Sequence, residues 1–241
     1  MAVSTEKTVR DLAVESSSAT RIFEKLGIDY CCGGNQPLEE ACKAAGLPLQ
    51  QVLDALAEAA RSAPAAQSQK SWQQESLTEL IDHINRTHHK YVREEIARMG
   101  PLFEKVCGVH GQSHPELLQL RSTFAALAQE LGMHMMKEEV VLFPYILRME
   151  EAVIAHESIL PPPFGTVQNP INMMEQEHDS AGSALRTMRQ ASNGYTAPAE
   201  ACVSYQALYR ALAEFEADLH QHIHLENNIL FPRTLAMEQS H

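Results

Sequence analysis

From Trp72 onward, apolar residues recur three and four apart over four long stretches, roughly 73–99, 115–148, 168–191 and 198–237. That period predicts amphipathic helices, because side chains three and four residues apart share a helix face. No alternation of apolar and polar residues runs long enough to predict a strand. The second stretch has a seam of Leu117, Leu120, Phe124, Leu127, Leu131, His134, Glu138 and Val141. The third has Ile171, Met174, His178, Ala181, Leu185 and Met188, and the fourth has Leu208, Leu212, Phe215, Leu219, His222, Glu226 and Ile229. Three apolar seams thus carry imidazoles or carboxylates at inward positions, where such groups are costly unless they are paired or ligate something. Gly100-Pro101 predicts a break after the first stretch, Pro161-Pro162-Pro163-Phe164-Gly165 falls in a long connection, and Asn193-Gly194 turns into the fourth. Four helices with one long crossover predict a four-helix bundle, an architecture that builds metal sites from facing helices.

The chain before this reads differently. Ser18 is placed to cap a helix over Ala19 to Leu26, and Gly27 to close it. Ile28-Asp29-Tyr30-Cys31-Cys32-Gly33-Gly34 reads as a loop. A second short helix runs from about Pro37 to Ala45 and ends at Gly46; Pro48 opens a third, with Leu49, Val52, Leu53 and Leu56 on one face. The expected organisation is all-α: a small helical domain over 1–62, a small-residue linker over 63–71, and the bundle over 72–241.

Composition narrows the function classes. A net charge of −12 with no basic cluster argues against nucleic acid or an anionic membrane as partner. The first thirty residues lack the basic start, apolar run and cleavage site of a signal peptide, so a cytoplasmic location is expected. The longest apolar run, Val140 to Leu147, is broken by Pro144 and falls far short of the roughly 18 residues that cross a bilayer. Five cysteines, scattered except for Cys31-Cys32, are not a disulfide framework.

The chemistry concentrates in two matching blocks, His134-Met135-Met136-Lys137-Glu138-Glu139-Val140-Val141-Leu142-Phe143-Pro144 and His222-Ile223-His224-Leu225-Glu226-Asn227-Asn228-Ile229-Leu230-Phe231-Pro232. Both read H-x-x-x-E-x-x-x-L-F-P. Residues four apart lie one above the other on a helix, so each block offers an imidazole and a carboxylate side by side. The proline is expected to end or kink the helix beyond them. A lone histidine on an apolar face is more often a satisfied core residue; the repetition with the same tail, plus a seam histidine on a third helix, singles this set out. The first helix offers His88 or His89: Leu77, Ile81 and Ile84 extrapolate to His88, whereas His89 precedes His134 by 45 residues and His178 precedes His222 by 44, as in a duplicated hairpin. Four imidazoles and two carboxylates, without thiolate, suit two iron ions better than one tetrahedral zinc. The remaining histidines read as solvated or peripheral, with His220 and His224 the best candidates to support the site. Met133, Met135, Met136, Met173 and Met174 read as core filler. Cys31 and Cys32, in a glycine-closed loop, are placed for a thiolate to reach a metal, nitric oxide or another thiol; a disulfide between neighbours would be strained and easily reduced.

With these motifs the chain resembles the repair-of-iron-centres family of di-iron proteins. The resemblance is carried by Asp29-Tyr30-Cys31-Cys32-Gly33-Gly34, His134-Met135-Met136-Lys137-Glu138-Glu139, Glu177-His178-Asp179 and Leu225 to Pro232, and covers nearly the whole chain. It implies a cysteine-containing N-terminal domain followed by a haemerythrin-like four-helix domain. Two non-haem iron ions, joined by an oxo or hydroxo bridge, would be held by His89, His134, His178 and His222, with Glu138 and Glu226 bridging. The choice of His89 follows from the match of Arg93-Glu94-Glu95-Ile96. Glu130 and Glu177 match acidic residues lining the family's approach to its site, and Cys31 and Cys32 take a redox or ligand-transfer role. The implied function is restoration, by iron donation, of iron-sulfur clusters damaged by nitric oxide or oxidants. Damaged iron-sulfur proteins are the expected partners and nitric oxide or oxygen species the small ligands; association as a homodimer stays open. The alternatives are a nitric oxide or peroxide reductase with Glu130 or Glu177 relaying protons, and a ligand-responsive sensor.

Overall fold

The computed structural model describes residues 7–62 and 71–240. Among them every regular element is helical, with one isolated bridge between Thr8 and Pro37. The all-α expectation is met. The linker expected over 63–71 lies, apart from Ser71, outside the described residues. Contacts divide the chain into two compact units, Met1–Ser76 with His220–Arg233, and Leu77–Leu219 with Thr234–His241.

In the first unit, α1 (Val9–Glu15), α2 (Ser17–Leu26), α3 (Leu38–Ala44) and α4 (Leu49–Ser62) surround a core that includes Val9, Leu12, Phe23, Ile28, Tyr30, Leu38, Cys42, Val52 and Leu56. Thr8 caps α1 reciprocally: its hydroxyl accepts from Asp11 N, and the Asp11 carboxylate accepts from Thr8 N. The second helix starts earlier than the Ser18 cap predicts, because the extended Ser16 both ends α1 and precedes α2, and Ser18 Oγ is spent on Ser16 Oγ at 2.7 Å. Gly27 closes α2 as expected, in the left-handed region at φ 67° where a side chain is strained.

The second unit contains the bundle. Its first arm is α5 (Leu77–His83), a π-helical turn (Ile84–His89) and α6 (Lys90–His110); its second is α7 (Glu116–Lys137), a second π-turn (Glu138–Leu142) and α8 (Phe143–Ile154). The third is α9 (Gln168–Ala191), and the fourth is α10 (Val203–Leu225), continued by a third π-turn (Glu226–Leu230) and α11 (Phe231–Gln239); His220 through Arg233 of this last arm group with the first unit. The three seams read from the sequence are buried with one exception. Val141 is 44% exposed and Leu142 takes the inward position at 1%. The π-turn causes this, since its wider turn shifts every later side chain by one position. Phe103, Phe124 and Phe215 pack across the core, Phe103 tilted against Phe124 and Phe124 edge-on to Phe215, with ring centroids 5.2 and 5.6 Å apart.

Two proline expectations fail for related reasons. Gly100-Pro101 does not break the first arm: α6 runs on to His110 with Pro101 exposed inside it. Met99, Phe103, Val106 and Cys107 bury the opposite face, and that burial outweighs the roughly 3 kcal/mol that an interior proline costs. Pro144 and Pro232 do not end their arms but sit second in α8 and α11. In each, the preceding π-turn closes five residues back, Phe143 N–H to the Glu138 carbonyl and Phe231 N–H to the Glu226 carbonyl, and the wide turn leaves room for a ring with no N–H.

Pro101→Ala returns a donor to α6 and is expected to raise unfolding stability by about 2 kcal/mol without changing helix content. Phe124→Ala is expected to cost about 3–5 kcal/mol. Urea unfolding followed by circular dichroism measures both.

Candidate metal centre

Three buried imidazoles of the second unit converge on one buried carboxylate. Glu138 opens the second π-turn, one turn after His134 at the end of α7; His89 closes the first π-turn, and His178 sits mid-way along α9. Glu138 Oε2 is 3.3 Å from His89 Nε2 and 3.3 Å from His134 Nε2. His178 Nε2 lies 3.1 Å from His134 Nε2. His134, Glu138 and His178 each offer a ligand atom within 4.8 Å of the others, and Glu138 offers one to His89 within the same distance.

The outward nitrogens fix what the inward ones can do. His89 Nδ1 lies 2.7 Å from Glu139 Oε1, and His134 Nδ1 lies 2.9 Å from Glu177 Oε2. A carboxylate only accepts, so each Nδ1 donates outward, which leaves Nε2 of His89 and His134, facing Glu138, as the nitrogen that can ligate. Lone pairs and a carboxylate oxygen gathered out of contact with water are the arrangement that a cation resolves. The donors are nitrogen and oxygen without thiolate, a set that fits iron or manganese rather than a soft metal.

Each outer carboxylate is held by a cation. Arg93 Nη2 contacts both oxygens of Glu139 at 2.8 Å, and Lys137 pairs with Glu177. Burial works to raise both carboxyls, but hydrogen bonds from Arg93 and His89 hold Glu139 below the usual carboxylate range, and those from Lys137 and His134 do the same for Glu177. Both therefore stay ionised acceptors at neutral pH. The His89 ring also stacks on Phe143, 5.7 Å away.

The other residues singled out from the sequence fall as follows. His88 is buried too, but it faces Asp218, with Nδ1 3.0 Å from Oδ1. Glu130 is exposed and accepts from Ser180 Oγ at 3.2 Å; with Glu177, Met133 and Met173 it lines an open groove of about 540 Å³ along α7 and α9. The core-filler expectation holds for Met135 and Met174 but is corrected for Met133, Met136 and Met173, which are about half exposed on the outward faces of those helices. In the first unit His222 Nε2 is 3.0 Å from Glu226 Oε1, and both are buried.

Comparison with known proteins bears on this geometry. Residues 80–234 match the family described as the hemerythrin HHE cation binding domain, and 5–60 match a "Domain of Unknown function (DUF542)". A probable iron-sulfur cluster repair protein of Haemophilus influenzae is 37% identical over 230 residues, 95% of this chain and 97% of its own. The iron-sulfur cluster repair protein YtfE of Musicola paradisiaca is 35% identical over 97% of this chain and 98% of its own, and that of Yersinia pseudotuberculosis 37% over 94% and 96%. The chain belongs to the iron-sulfur cluster repair family of haemerythrin-domain proteins.

As a member of that family the chain carries a haemerythrin-like metal-binding domain, and its N-terminal part adds the thiol loop. Asp29 Oδ1 accepts from the backbone N–H groups of Cys31, Cys32 and Gly33 at 3.1, 3.0 and 3.0 Å. A side chain on Gly34 would place its Cβ 2.8 Å from the Tyr30 carbonyl oxygen, so the loop closes only with glycine there. Cys31 is buried, and the hydrogen bond its thiol donates to Cys32 Sγ, followed by burial, pushes that thiol well above the usual range. Of the two thiols, Cys32 is the more exposed. His220 lies on the surface side, 2.8 Å from Glu24 Oε2. His224 is buried against the Tyr30 ring, 5.5 Å away, and burial lowers its pKa to about 4.

Sequence reasoning missed Glu139 as the partner of His89, Arg93 as the partner of Glu139, and Asn227 and Asn228 as partners of the thiol loop. A signal existed for the first: the earlier block reads Glu138-Glu139 where the later one reads Glu226-Asn227, so the two repeats differ at the residue after the shared glutamate.

His89→Ala is expected to lose bound metal while His88→Ala retains it, as read by elemental analysis of the purified chains. Glu139→Gln is expected to weaken metal binding by roughly 10–100-fold, measured by competition with a chelator.

Proposed function

We propose that this chain is a cytoplasmic di-iron protein that restores iron-sulfur clusters damaged by oxidative or nitrosative stress by giving up iron. The observation that carries the reading is the convergence of His89, His134 and His178 on Glu138 with nitrogen and oxygen donors alone. On the repeated block and the seam count, His222 and Glu226 would complete the set that holds two ions. Iron held there supplies a transferable metal: imidazole and carboxylate ligands release ferrous iron more readily than a thiolate cage does. Glu139 and Glu177 orient the imidazoles and keep their Nε2 lone pairs inward. Glu130 and Glu177, on one groove, attract the departing cation. Cys31 and Cys32 act on the recipient as thiol ligands or acceptors. Relatives named as iron-sulfur cluster repair proteins align with this chain over nearly the full length of both.

Two iron ions per chain and a visible oxo-iron absorption are expected on purification. The iron-loaded chain should then reactivate a hydratase whose iron-sulfur cluster has been damaged by nitric oxide, with matching loss of its own iron, and Glu138→Gln should abolish both iron loading and reactivation. One zinc per chain, or reactivation with no loss of iron, would sink the reading.

A further inference from the structure

Two adjacent asparagines of the third π-turn hold the backbone of the thiol loop. Asn227 Nδ2 donates to the Cys31 carbonyl at 3.5 Å, and Asn228 Nδ2 donates to the Tyr30 carbonyl at 3.0 Å. Asn228 Nδ2 also lies 2.9 Å from His224 Nδ1, and the Asn228 carbonyl accepts from Arg10 Nη2 at 3.3 Å. The turn that carries these asparagines begins with Glu226. On its other side the loop is fixed by the three N–H donations to Asp29. The Cys31 carbonyl is the sensitive point. It belongs to the peptide unit that joins the two cysteines, whose sulfurs lie 3.8 Å apart.

We propose that Cys31 and Cys32 are a redox switch on iron release: a disulfide between them turns the Cys31 carbonyl away from Asn227 and loosens the turn that holds Glu226. This rests on the reading of Glu226 as an iron ligand. Bond formation draws the sulfurs to about 2 Å and closes the intervening peptide into a small ring, so that peptide must rotate. The rotation acts first on the carbonyl that Asn227 holds.

The oxidant is a low-molecular-weight disulfide, RSSR. Cys32, the more exposed thiol, attacks as thiolate; a Cys32–SR bond forms and the S–S bond of RSSR breaks, releasing RS⁻. Cys31 then gives up its proton and attacks Cys32 Sγ, forming the Cys31–Cys32 bond and releasing the second RS⁻. Two electrons pass from the two cysteines to RSSR, which ends as two RSH after taking up the protons the cysteines lost. The raised Cys31 thiol fits the order, since the buried sulfur is the poorer first nucleophile. The strain of a disulfide between neighbours makes the step easy to reverse once the cell is reducing again.

The test uses the full iron-loaded chain, first reduced and then equilibrated with oxidised glutathione, with release followed by a chromogenic iron(II) chelator. The oxidised chain is expected to lose two hydrogens by mass, to keep no glutathione, and to release iron roughly tenfold faster than the reduced chain. Cys32→Ser should show no change in rate on the same treatment. Asn227→Ala should form the disulfide yet release iron at one rate in both states. An unchanged rate in a chain whose disulfide is proven by mass, no disulfide at all, or an Asn227→Ala variant that responds like the parent overturns the switch. A reduced chain that fails to hold iron overturns the ligand reading beneath it, and metal content measured beforehand separates the two failures.

Discussion

A carboxylate with no exposed surface, set among imidazoles, is the constraint on which the bundle's design turns. Glu138 could not stay ionised there without charge or hydrogen-bond compensation, because an isolated buried charge costs far more than one side chain's packing returns. Its partners come from α7 itself, from the π-turn ahead of α6, and from α9, so three arms must stay in register for the site to exist. The seam leucines and the packed rings of Phe103, Phe124 and Phe215 keep that register, and the histidines sit where the same seams continue. Core packing and ligand placement are therefore one pattern.

The supports around the imidazoles are not equivalent. Glu139 is gripped at both oxygens by a planar guanidinium, which fixes its orientation and with it the His89 ring. Glu177 is paired with a flexible lysine and opens onto the groove that Glu130 shares. One imidazole is thus held by a rigid brace and another by a support within reach of solvent. For a protein read as giving metal away, that asymmetry provides a firm side and a yielding side within one set of ligands.

Much of the fold was legible because it rests on periodicity. The four helical stretches, the inward positions of His134, Glu138 and His178, and the Gly27 stop all follow from residues acting within a turn or two of their own helix. The misreadings share a cause. Pro101 is tolerated because residues packed on the opposite face of α6 outweigh a local preference, and Pro144 because a wide turn precedes it. Met133 and Met173 face a groove because the helices leave a gap there, which hydrophobicity alone does not record. The buried His224 depends on Tyr30, far away in the chain.

By itself the sequence determined that the chain is helical, that two like blocks place a histidine and a glutamate on one face, and that no thiolate belongs to that set. These are consequences of residue type and of spacing within a helix. What periodicity left open, and only the tertiary structure explains, is why His89 rather than His88 faces Glu138. Counting at constant period from Leu77, Ile81 and Ile84 leads to His88; the π-turn over Ile84–His89, closed by Lys90 N–H on the Asn85 carbonyl, adds one residue and brings His89 to the carboxylate while His88 turns to Asp218. A π-turn forms where packing on both sides holds the helix in two registers at once, and that condition is set by the neighbouring helices rather than by the residues of the turn.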